Sequence, residues 1–371
     1  MNDQASRKSK GAFDPARVNR RVFIRRLSLA AAGLPLLSQV LATTALAQSK
    51  TVTFASYGGS YNENLTKSFL TGFEQKTGIK VNLGANASLA LAKLQAATNP
   101  AQWDIVELDG PEYEVAVKQN LLLPYDFQDV DKSKIPAEYR RPFGVKYALF
   151  LFVMSWDQRK IPDAKAPKTW AEFWDTSKYP GKRSMNANIS DGSVLEVALL
   201  ADGIAIDKIY PLDVDRALKS LDRLGKQNII WHTTNQEPVQ QLTSGEVALA
   251  TSFNGRIIPA NRGGAKLGFT PEYGAVSGDY LGVMKNSKNA AEAFKLINYM
   301  ISDVKACADY MQLTTYTSPN TEALKLVPKD LADTLPTSPS LKGKVFVKDD
   351  AWWADNLEKT AVRFKEWQLK S

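Results

Sequence analysis

Beyond residue 50 the chain alternates short β-prone runs with amphipathic stretches. Thr51–Ala55 alternates polar and apolar side chains and is rich in β-formers, which predicts a strand. A helix follows, with three apolar residues at a spacing of four: Leu65, Phe69 and Phe73. Asn62 is placed to cap this helix and Gly78 to end it. The same reasoning predicts the next elements: a strand at 79–81, a helix over 89–97 and a strand over 104–108.

The second half repeats this alternation. A helix with Val214, Leu218, Leu221 and Leu224 on one face precedes a strand at 229–231. Further patterns predict a helix over 236–242, a strand over 246–253 and a helix opened by a capping box at Asn289–Glu292. Strands that alternate with helices indicate an α/β fold with a mostly parallel sheet. Two extended apolar runs, 149–154 and 280–284, are candidates for strands that connect two lobes.

The N-terminus has the layout of a bacterial export signal. A charged region containing Arg20 and Arg21 leads into an apolar stretch over 27–46, which ends in the small-x-small sequence Ala45-Leu-Ala47. The twin arginine predicts export of the folded protein by the twin-arginine machinery, with cleavage after Ala47 and a periplasmic location. A membrane anchor is the alternative, although polar and helix-breaking residues interrupt this apolar run.

Composition narrows the function. Residues 1–47 hold eight of the 47 Lys and Arg but two of the 39 Asp and Glu, so the remainder carries a net charge of about +2. That balance argues against nucleic-acid binding. About 324 residues follow the signal, enough for two lobes. The single cysteine, Cys307, excludes an internal disulfide, and the single histidine, His232, makes histidine-based catalysis or zinc binding improbable.

Several short segments, taken together and in this order, resemble the substrate-binding proteins of bacterial ABC importers, specifically the spermidine/putrescine-binding branch. The segments are Phe73–Val81, Trp103–Val106, Pro167–Trp174, Tyr179–Lys182, Ser244–Ala248, Asn254–Gly255, Phe294–Asn298 and Ser318–Asn320. The resemblance implies a type II periplasmic binding protein: two α/β lobes, a ligand cleft between them and a two-strand hinge that closes on binding. It also implies a small amine-bearing solute and a membrane permease as partners, no cofactor and no enzymatic activity.

The resemblance and the crossing strands give a domain plan. We expect the signal at 1–47, the first part of lobe 1 at 48–153, lobe 2 at 154–280, and the rest of lobe 1 with a C-terminal helical segment at 281–371. The stretch from Trp352 to Trp367 within that segment predicts an amphipathic helix packed on a lobe.

Four candidate ligand contacts follow from the resemblance and from their positions at strand ends. Tyr57, beside Gly58-Gly59, offers an aromatic face, although a plain tight turn is an alternative. Asp109 follows a strand and is either an ammonium partner or a surface aspartate. Phe253 suits stacking on an alkyl chain or cation, with a purely structural role as the rival. Asp279 matches the acidic residue that polyamine binders use against an amine.

Arg256 departs from the polyamine pattern, which has a small residue there. A guanidinium in the cleft repels a second ammonium and offers a fork that matches a carboxylate. Arg256 and Asp279 therefore suggest a clamp for an ω-amino acid such as 4-aminobutyrate, unless Arg256 is paired structurally. The family's second-lobe acid is also not clearly present, since Ser193 stands there with Asp191 nearby.

Two other functions stay open on sequence grounds. Twin-arginine export often serves cofactor enzymes, but the chain lacks a cysteine cluster, a dinucleotide fingerprint and a nucleophile elbow. A ferric or anion receptor from a neighbouring branch is suggested only by the tyrosine pair Tyr57 and Tyr61.

Overall fold

A computed structural model describes residues 50–369, and the predicted export signal lies outside the described residues. The strands are β1 Thr51–Ala55, β2 Lys80–Gly84, β3 Ile105–Asp109, β4 Arg140–Arg141, β5 Gly144–Asp157, β6 Arg183–Asn186, β7 Ile229–His232, β8 Leu249–Phe253, β9 Leu267–Val283 and β10 Phe346–Val347. The first six helices are α1 Gly59–Leu65, α2 Thr71–Thr77, α3 Leu89–Ala97, α4 Gly110–Lys118, α5 Trp170–Trp174 and α6 Val194–Ala201. They are followed by α7 Val214–Leu224, α8 Glu237–Ser244, α9 Asn254–Arg262, α10 Ala290–Ser302, α11 Val304–Thr314, α12 Lys329–Ala332 and α13 Asp350–Leu369.

Two long strands organise the fold. In the described chain the sheet order is β2-β1-β3-β9-β5-β8-β6-β7, with β10 beside β9 and β4 beside β5. The first lobe is built on β1, β2 and β3, which run parallel, and the second lobe on β6, β7 and β8, which also run parallel. β5 and β9 pair antiparallel along most of their length and belong to both lobes. This is the predicted two-lobed α/β fold, whereas the predicted lobe boundaries at 153 and 280 stay a prediction.

The boundaries of β1 and α3 agree with the sequence prediction, but two predicted helix caps are wrong. Asn62 lies inside α1, because Gly58 at φ 90° already turns the chain. The Asn62 side chain instead accepts from the Gly58 N–H at 2.9 Å and donates to the Gly84 carbonyl of β2. The capping box before α10 does not form either, since the Asn289 amide donates to Asp104 and Glu292 pairs with Lys50.

Each lobe has its own apolar core. The larger first-lobe cluster joins β1, α2, α10 and α11 through Phe54, Phe73, Ile297, Met300 and Tyr310, all nearly inaccessible to solvent. The second-lobe cluster contains Trp170, Phe173, Leu199 and Leu221. Trp353, Phe364 and Trp367 of α13 are buried in the same cluster, so the C-terminal helix packs on a lobe as predicted.

The single histidine and cysteine are both core residues. His232 Nδ1 lies 2.9 Å from Ser184 Oγ, and burial lowers the pKa of His232 to about 4, so its ring is neutral. Burial raises the pKa of Cys307 to about 12, and its thiol donates to the Met300 carbonyl. Neither residue lines the cavity described below.

Candidate functional site

The loops that follow parallel strands in both lobes converge on one cavity of about 460 Å³. This volume is typical of a small-molecule site. Ligands of open α/β sheets bind at the carboxyl ends of strands, and the loops after β1, β3, β6, β7 and β8 all contribute here. The lining residues are Tyr57, Gly58, Gly59, Ser60, Tyr61, Asp109, Phe150, Asn188, Asp191, Asn235, Phe253, Arg256, Asp279 and Tyr316. The five residues predicted from sequence are therefore brought together.

Tyr57 is held at the cavity by an unusual turn. Gly58 has φ +90°, and a Cβ there would lie 3.0 Å from the Ala85 Cβ, so glycine alone fits without strain. The turn aims the Tyr57 hydroxyl at Asp279, to which it donates at 3.2 Å to Oδ1. Tyr57 is still 39% exposed, so its ring is accessible to a ligand.

Asp109 and Asp279 form the acidic wall of the cavity. They are register partners on antiparallel β3 and β9, so both side chains lie on the same face of the sheet. Asp109 Oδ1 accepts from the Glu112 N–H at 2.9 Å and caps α4. Burial, and then the charge of Glu112, raise the pKa of Asp109 to about 7. Burial, followed by the charges of Glu107 and Asp109, raises the pKa of Asp279 well above its usual range.

Glu107 lies next to this wall, two residues before Asp109 on β3. This completely buried carboxylate accepts hydrogen bonds from Ser56 Oγ at 2.5 Å, from the Tyr61 hydroxyl at 2.8 Å and from the Tyr147 hydroxyl. Burial raises the pKa of Glu107 to about 7 against the lowering effect of these donors. The network fixes Tyr61 and engages its hydroxyl, which removes the sequence argument for a tyrosine-based iron site.

The second lobe contributes an acid that the sequence prediction left out. Asp191 lies in the loop between β6 and α6 and lines the cavity. Burial raises the pKa of Asp191, and the hydrogen bonds of Asn186 and Asn235 partly oppose that shift. Ser193, which occupies the position of the family's second-lobe acid, is the completely buried residue before α6, so Asp191 supplies the carboxylate instead.

Aromatic rings form the opposite wall. Phe253 packs edge-on against Phe150 with ring centroids 5.2 Å apart, and Phe150 contacts Tyr316 at the same distance. Tyr316 in turn lies 6.2 Å from Tyr61. Close approach of Tyr316 to α9 requires Gly255, because a Cβ there would lie 2.1 Å from the Tyr316 ring. The wall suits an alkyl chain or a cation.

Arg256 is the cationic group among the cavity-lining residues. It lies in the first turn of α9, is half-buried, and its Nε is buried without a hydrogen-bond partner in the described chain. It also makes no ion pair with any carboxylate of residues 50–369. The alternative of a structurally paired Arg256 is therefore not supported, and its guanidinium is free to meet an anionic group.

Sequence reasoning missed several lining residues, and the reason differs among them. Asn188 and Asp191 follow β6, a strand that no periodic pattern had indicated. Asn235 follows the correctly predicted strand β7, so the strand-end rule was sufficient to find it. Phe150 lies in the apolar run 149–154, which was predicted only as a connecting strand, so it was not considered as a ligand contact.

Comparisons with known proteins agree with this architecture. The sequence model of the family "Bacterial extracellular solute-binding protein" matches residues 69–340. A gamma-aminobutyric acid-binding protein of Pseudomonas aeruginosa is 31% identical over 91% of this chain and 96% of its own length. A spermidine/putrescine-binding periplasmic protein of Salmonella typhimurium is 27% identical over 79% of this chain and 87% of its own. A solved ABC transporter substrate-binding protein from Bradyrhizobium japonicum is 31% identical, with a TM-score of 0.79 over 86% of this chain and 99% of that one.

This chain belongs to the bacterial extracellular solute-binding proteins. The predicted resemblance to the substrate-binding proteins of ABC importers is confirmed, and these proteins are receptors rather than enzymes. The relatives also agree with the predicted periplasmic location. Within the part that the structure describes, no helix is long and apolar enough to cross a membrane. The described residues also contain no cluster of acidic, histidine or cysteine side chains suited to a metal ion.

Proposed function

We propose that this protein binds a small ω-amino acid such as 4-aminobutyrate in the cavity between its lobes and delivers it to an ABC permease. The observation that carries the proposal is that Arg256, whose Nε has no hydrogen-bond partner in the described chain, lines the same cavity as three carboxylates. These are Asp109, Asp191 and Asp279. Such a site offers partners to both ends of a zwitterion.

The ammonium end is assigned to the wall formed by Asp109 and Asp279. Two carboxylates on one face, both with raised pKa values, are stabilised by a cation that enters between them. The Tyr57 ring adjoins this position, since its hydroxyl donates to Asp279, and aromatic faces also attract ammonium groups. One ammonium therefore finds charge, hydrogen-bond acceptors and an aromatic surface at the same end of the cavity.

The carboxylate end is assigned to Arg256. Its buried Nε lacks a partner, and an unpaired buried donor costs about 1–3 kcal/mol, which a bound carboxylate recovers. The planar guanidinium matches a carboxylate through two parallel hydrogen bonds. A diamine would place its second ammonium near this guanidinium, so a polyamine fits the charge pattern less well. The names of the relatives, a 4-aminobutyrate binder at 31% identity and a polyamine binder at 27%, support this order.

A thermal-shift and titration panel tests the assignment on the chain from Gln48 onward, with 4-aminobutyrate, putrescine and spermidine. A ligand at a hundred times its Kd adds about 2.7 kcal/mol of stability, so a true ligand raises the midpoint measurably. Arg256→Ala is expected to abolish the response to 4-aminobutyrate. Arg262→Ala is the matched control, because Arg262 is exposed on the same helix and donates to the Gln312 carbonyl outside the cavity. A wild-type response to polyamines alone, or unchanged ligand preference in Arg256→Ala, contradicts the proposal.

We propose also that residues 1–47 are a cleavable twin-arginine signal. The motif around Arg20 and Arg21 supports this route, as does the extracytoplasmic family. Replacement of both arginines by lysine is expected to retain the protein uncleaved in the cytoplasm, whereas Arg25→Lys and Arg26→Lys together leave export intact. Terminal sequencing of the exported protein that does not begin at Gln48 would contradict the cleavage site.

A further inference from the structure

Lys348 is a buried lysine on the segment that runs beside β9. It follows β10, and its residue surface is 4% exposed. Its backbone N–H donates to the Val276 carbonyl of β9 at 3.0 Å, which ties it to one of the two strands that both lobes share. Its Nζ lies 5.6 Å from the centre of the buried Trp353 ring. The lysine is therefore buried away from bulk water, where charges interact more strongly than in solvent.

The charge of this ammonium acts on carboxylates of both lobes. The charge of Lys348 lowers the pKa values of Asp109 in the first lobe and of Asp191 and Glu196 in the second, against the raising effect of burial. Asp109 and Asp191 line the cavity, whereas Glu196 lies in α6. Lys348 thus contributes positive potential to the site without being one of its lining residues.

Lys348 differs from the neighbouring buried lysine in having no dedicated partner. Lys146 donates directly to Asp350 at 2.8 Å. Among the described residues Lys348 makes no direct ion pair. Glu196 already receives hydrogen bonds at Oε1 from Tyr210 at 2.6 Å and from Trp353 at 2.8 Å. The charge of Lys348 is therefore shared among several carboxylates, two of which face the ligand.

We propose that Lys348 is a specificity-determining residue that supplies, from inside the protein, the positive charge that a diamine would bring at its second nitrogen. The inference deepens the proposed function, since it uses the same cavity and explains why one ammonium on the ligand is sufficient. With Lys348 in place, a second ammonium on the ligand is repelled by two cations. One is Lys348, whose charge acts on Asp109 and Asp191, and the other is Arg256. Without Lys348, those two carboxylates lack compensation and favour a ligand with two ammonium groups.

The test compares two probes that differ only in the second ammonium, putrescine and n-butylamine, by calorimetric titration at pH 7.5. Lys348→Met is expected to raise the affinity ratio of putrescine to n-butylamine at least tenfold over wild type. Lys344→Met is the matched control, because Lys344 is exposed on the same segment and pairs with Glu272 on the surface. An unchanged ratio in Lys348→Met overturns the inference. Neither probe carries a carboxylate, so a failure of the 4-aminobutyrate assignment is seen separately in the panel above.

A second variant separates this role from a purely structural one. If Lys348 serves only to neutralise Glu196, then Lys348→Met with Glu196→Gln returns the probe ratio to the wild-type value, which overturns the inference. A ratio that stays raised in the double variant supports it. The double variant leaves no unmatched charge at position 196, so the probe ratio can still be measured with it if Lys348→Met alone fails to fold.

Discussion

Asp109 and Asp279 face each other directly across two antiparallel strands. Like charges in this position destabilise a sheet, and both carboxylates are held in a cavity rather than in solvent. The protein tolerates this because burial raises both pKa values, so that part of the charge is neutralised by protons. We expect a bound ammonium to take the place of these protons and to relieve the repulsion between the two carboxylates.

Asp279→Asn is expected to raise the stability of the unliganded protein and to lower its affinity for ligand. The amide removes the like-charge contact with Asp109 and still accepts the hydrogen bond from Tyr57, so the unfolding midpoint of the unliganded protein rises by about 1–3 °C. Affinity for an ammonium ligand falls about tenfold to a hundredfold, because a charge-assisted hydrogen bond is lost. Calorimetry measures both effects. Asp333→Asn, which changes an exposed aspartate paired with Lys329, serves as the control, and a lower midpoint for Asp279→Asn would contradict the repulsion between the two carboxylates.

Arg256→Lys is expected to weaken 4-aminobutyrate binding about tenfold while leaving the net charge unchanged. Lysine offers a point charge instead of a planar fork, so one of two parallel hydrogen bonds is lost. Titration of 4-aminobutyrate against Arg256→Lys and the exposed control Arg262→Lys measures the difference. Equal affinities for the two variants would mean that Arg256 contributes only its charge.

The stability of the unliganded protein is expected to fall as pH rises from about 6.5 to 8.5. Burial raises the pKa values of Glu107 and Asp109 to about 7. Their contribution to the free energy of unfolding is therefore full below the pKa values near 4 of the unfolded chain, and it is lost as pH rises through 7. The pKa of His232 is lowered to about 4, so its contribution is complete above about 6.5 and does not vary in this window. Thermal scans across the window measure the slope.

Asp109→Asn should flatten that slope while the fold is kept, because asparagine also caps helices and α4 retains its N-terminal hydrogen bond. The stabilisation by an amine ligand should grow over the same pH range in the wild type, since the ligand binds the ionised carboxylates. A midpoint that rises with pH in the unliganded wild type would show that these carboxylates are ionised well below pH 7.

Gly255→Ala is expected to cost about 1–3 kcal/mol and to weaken ligand binding. Its Cβ would lie 2.1 Å from the Tyr316 ring, which must move out of the aromatic wall. Combining it with Tyr316→Ala tests the mechanism, because removal of the ring relieves the clash and the double variant should be less destabilised than the sum of the single ones. Denaturant unfolding of the four proteins gives the coupling, and additive losses would place the strain elsewhere.

Sequence patterns predicted elements well where a single local signal dominates. β1 and α3 were predicted with their observed limits, and Gly78 and Gly245 end helices in the left-handed conformation as their positions indicate. The errors arose where a polar side chain had a competing long-range partner. Asn62 is engaged by β2, and Asn289 by Asp104, so neither was available to cap its helix.

The residues of the candidate site could be predicted where they follow a predicted strand or match a ligand-contact position of the family. Tyr57, Asp109, Phe253, Arg256 and Asp279 meet in one cavity, although the first and the last of them lie 222 residues apart in the sequence. Asp191 was not predicted as a ligand contact because β6 has no alternating pattern: all four of its residues are buried, including the polar ones. Lys348 carried no local signal at all, since its place beside β9 depends on how the chain after α12 returns to that strand.

We expect the two ends of the proposed ligand to contact parts of the protein that move differently. Asp279 lies on β9, one of the two strands that belong to both lobes and that we expect to form the axis of lobe rotation, whereas Arg256 lies in α9, directly after β8 of the second lobe. A contact near the axis has almost no lever arm, so it contributes similarly to the open and closed states. The contact to Arg256 is expected to differ between these states, and only a difference in affinity shifts such an equilibrium. We therefore expect occupancy of the cavity and closure of the lobes to be separable. A simple amine is expected to fill the cavity without closing the lobes, and a permease that binds only the closed form would not accept that amine.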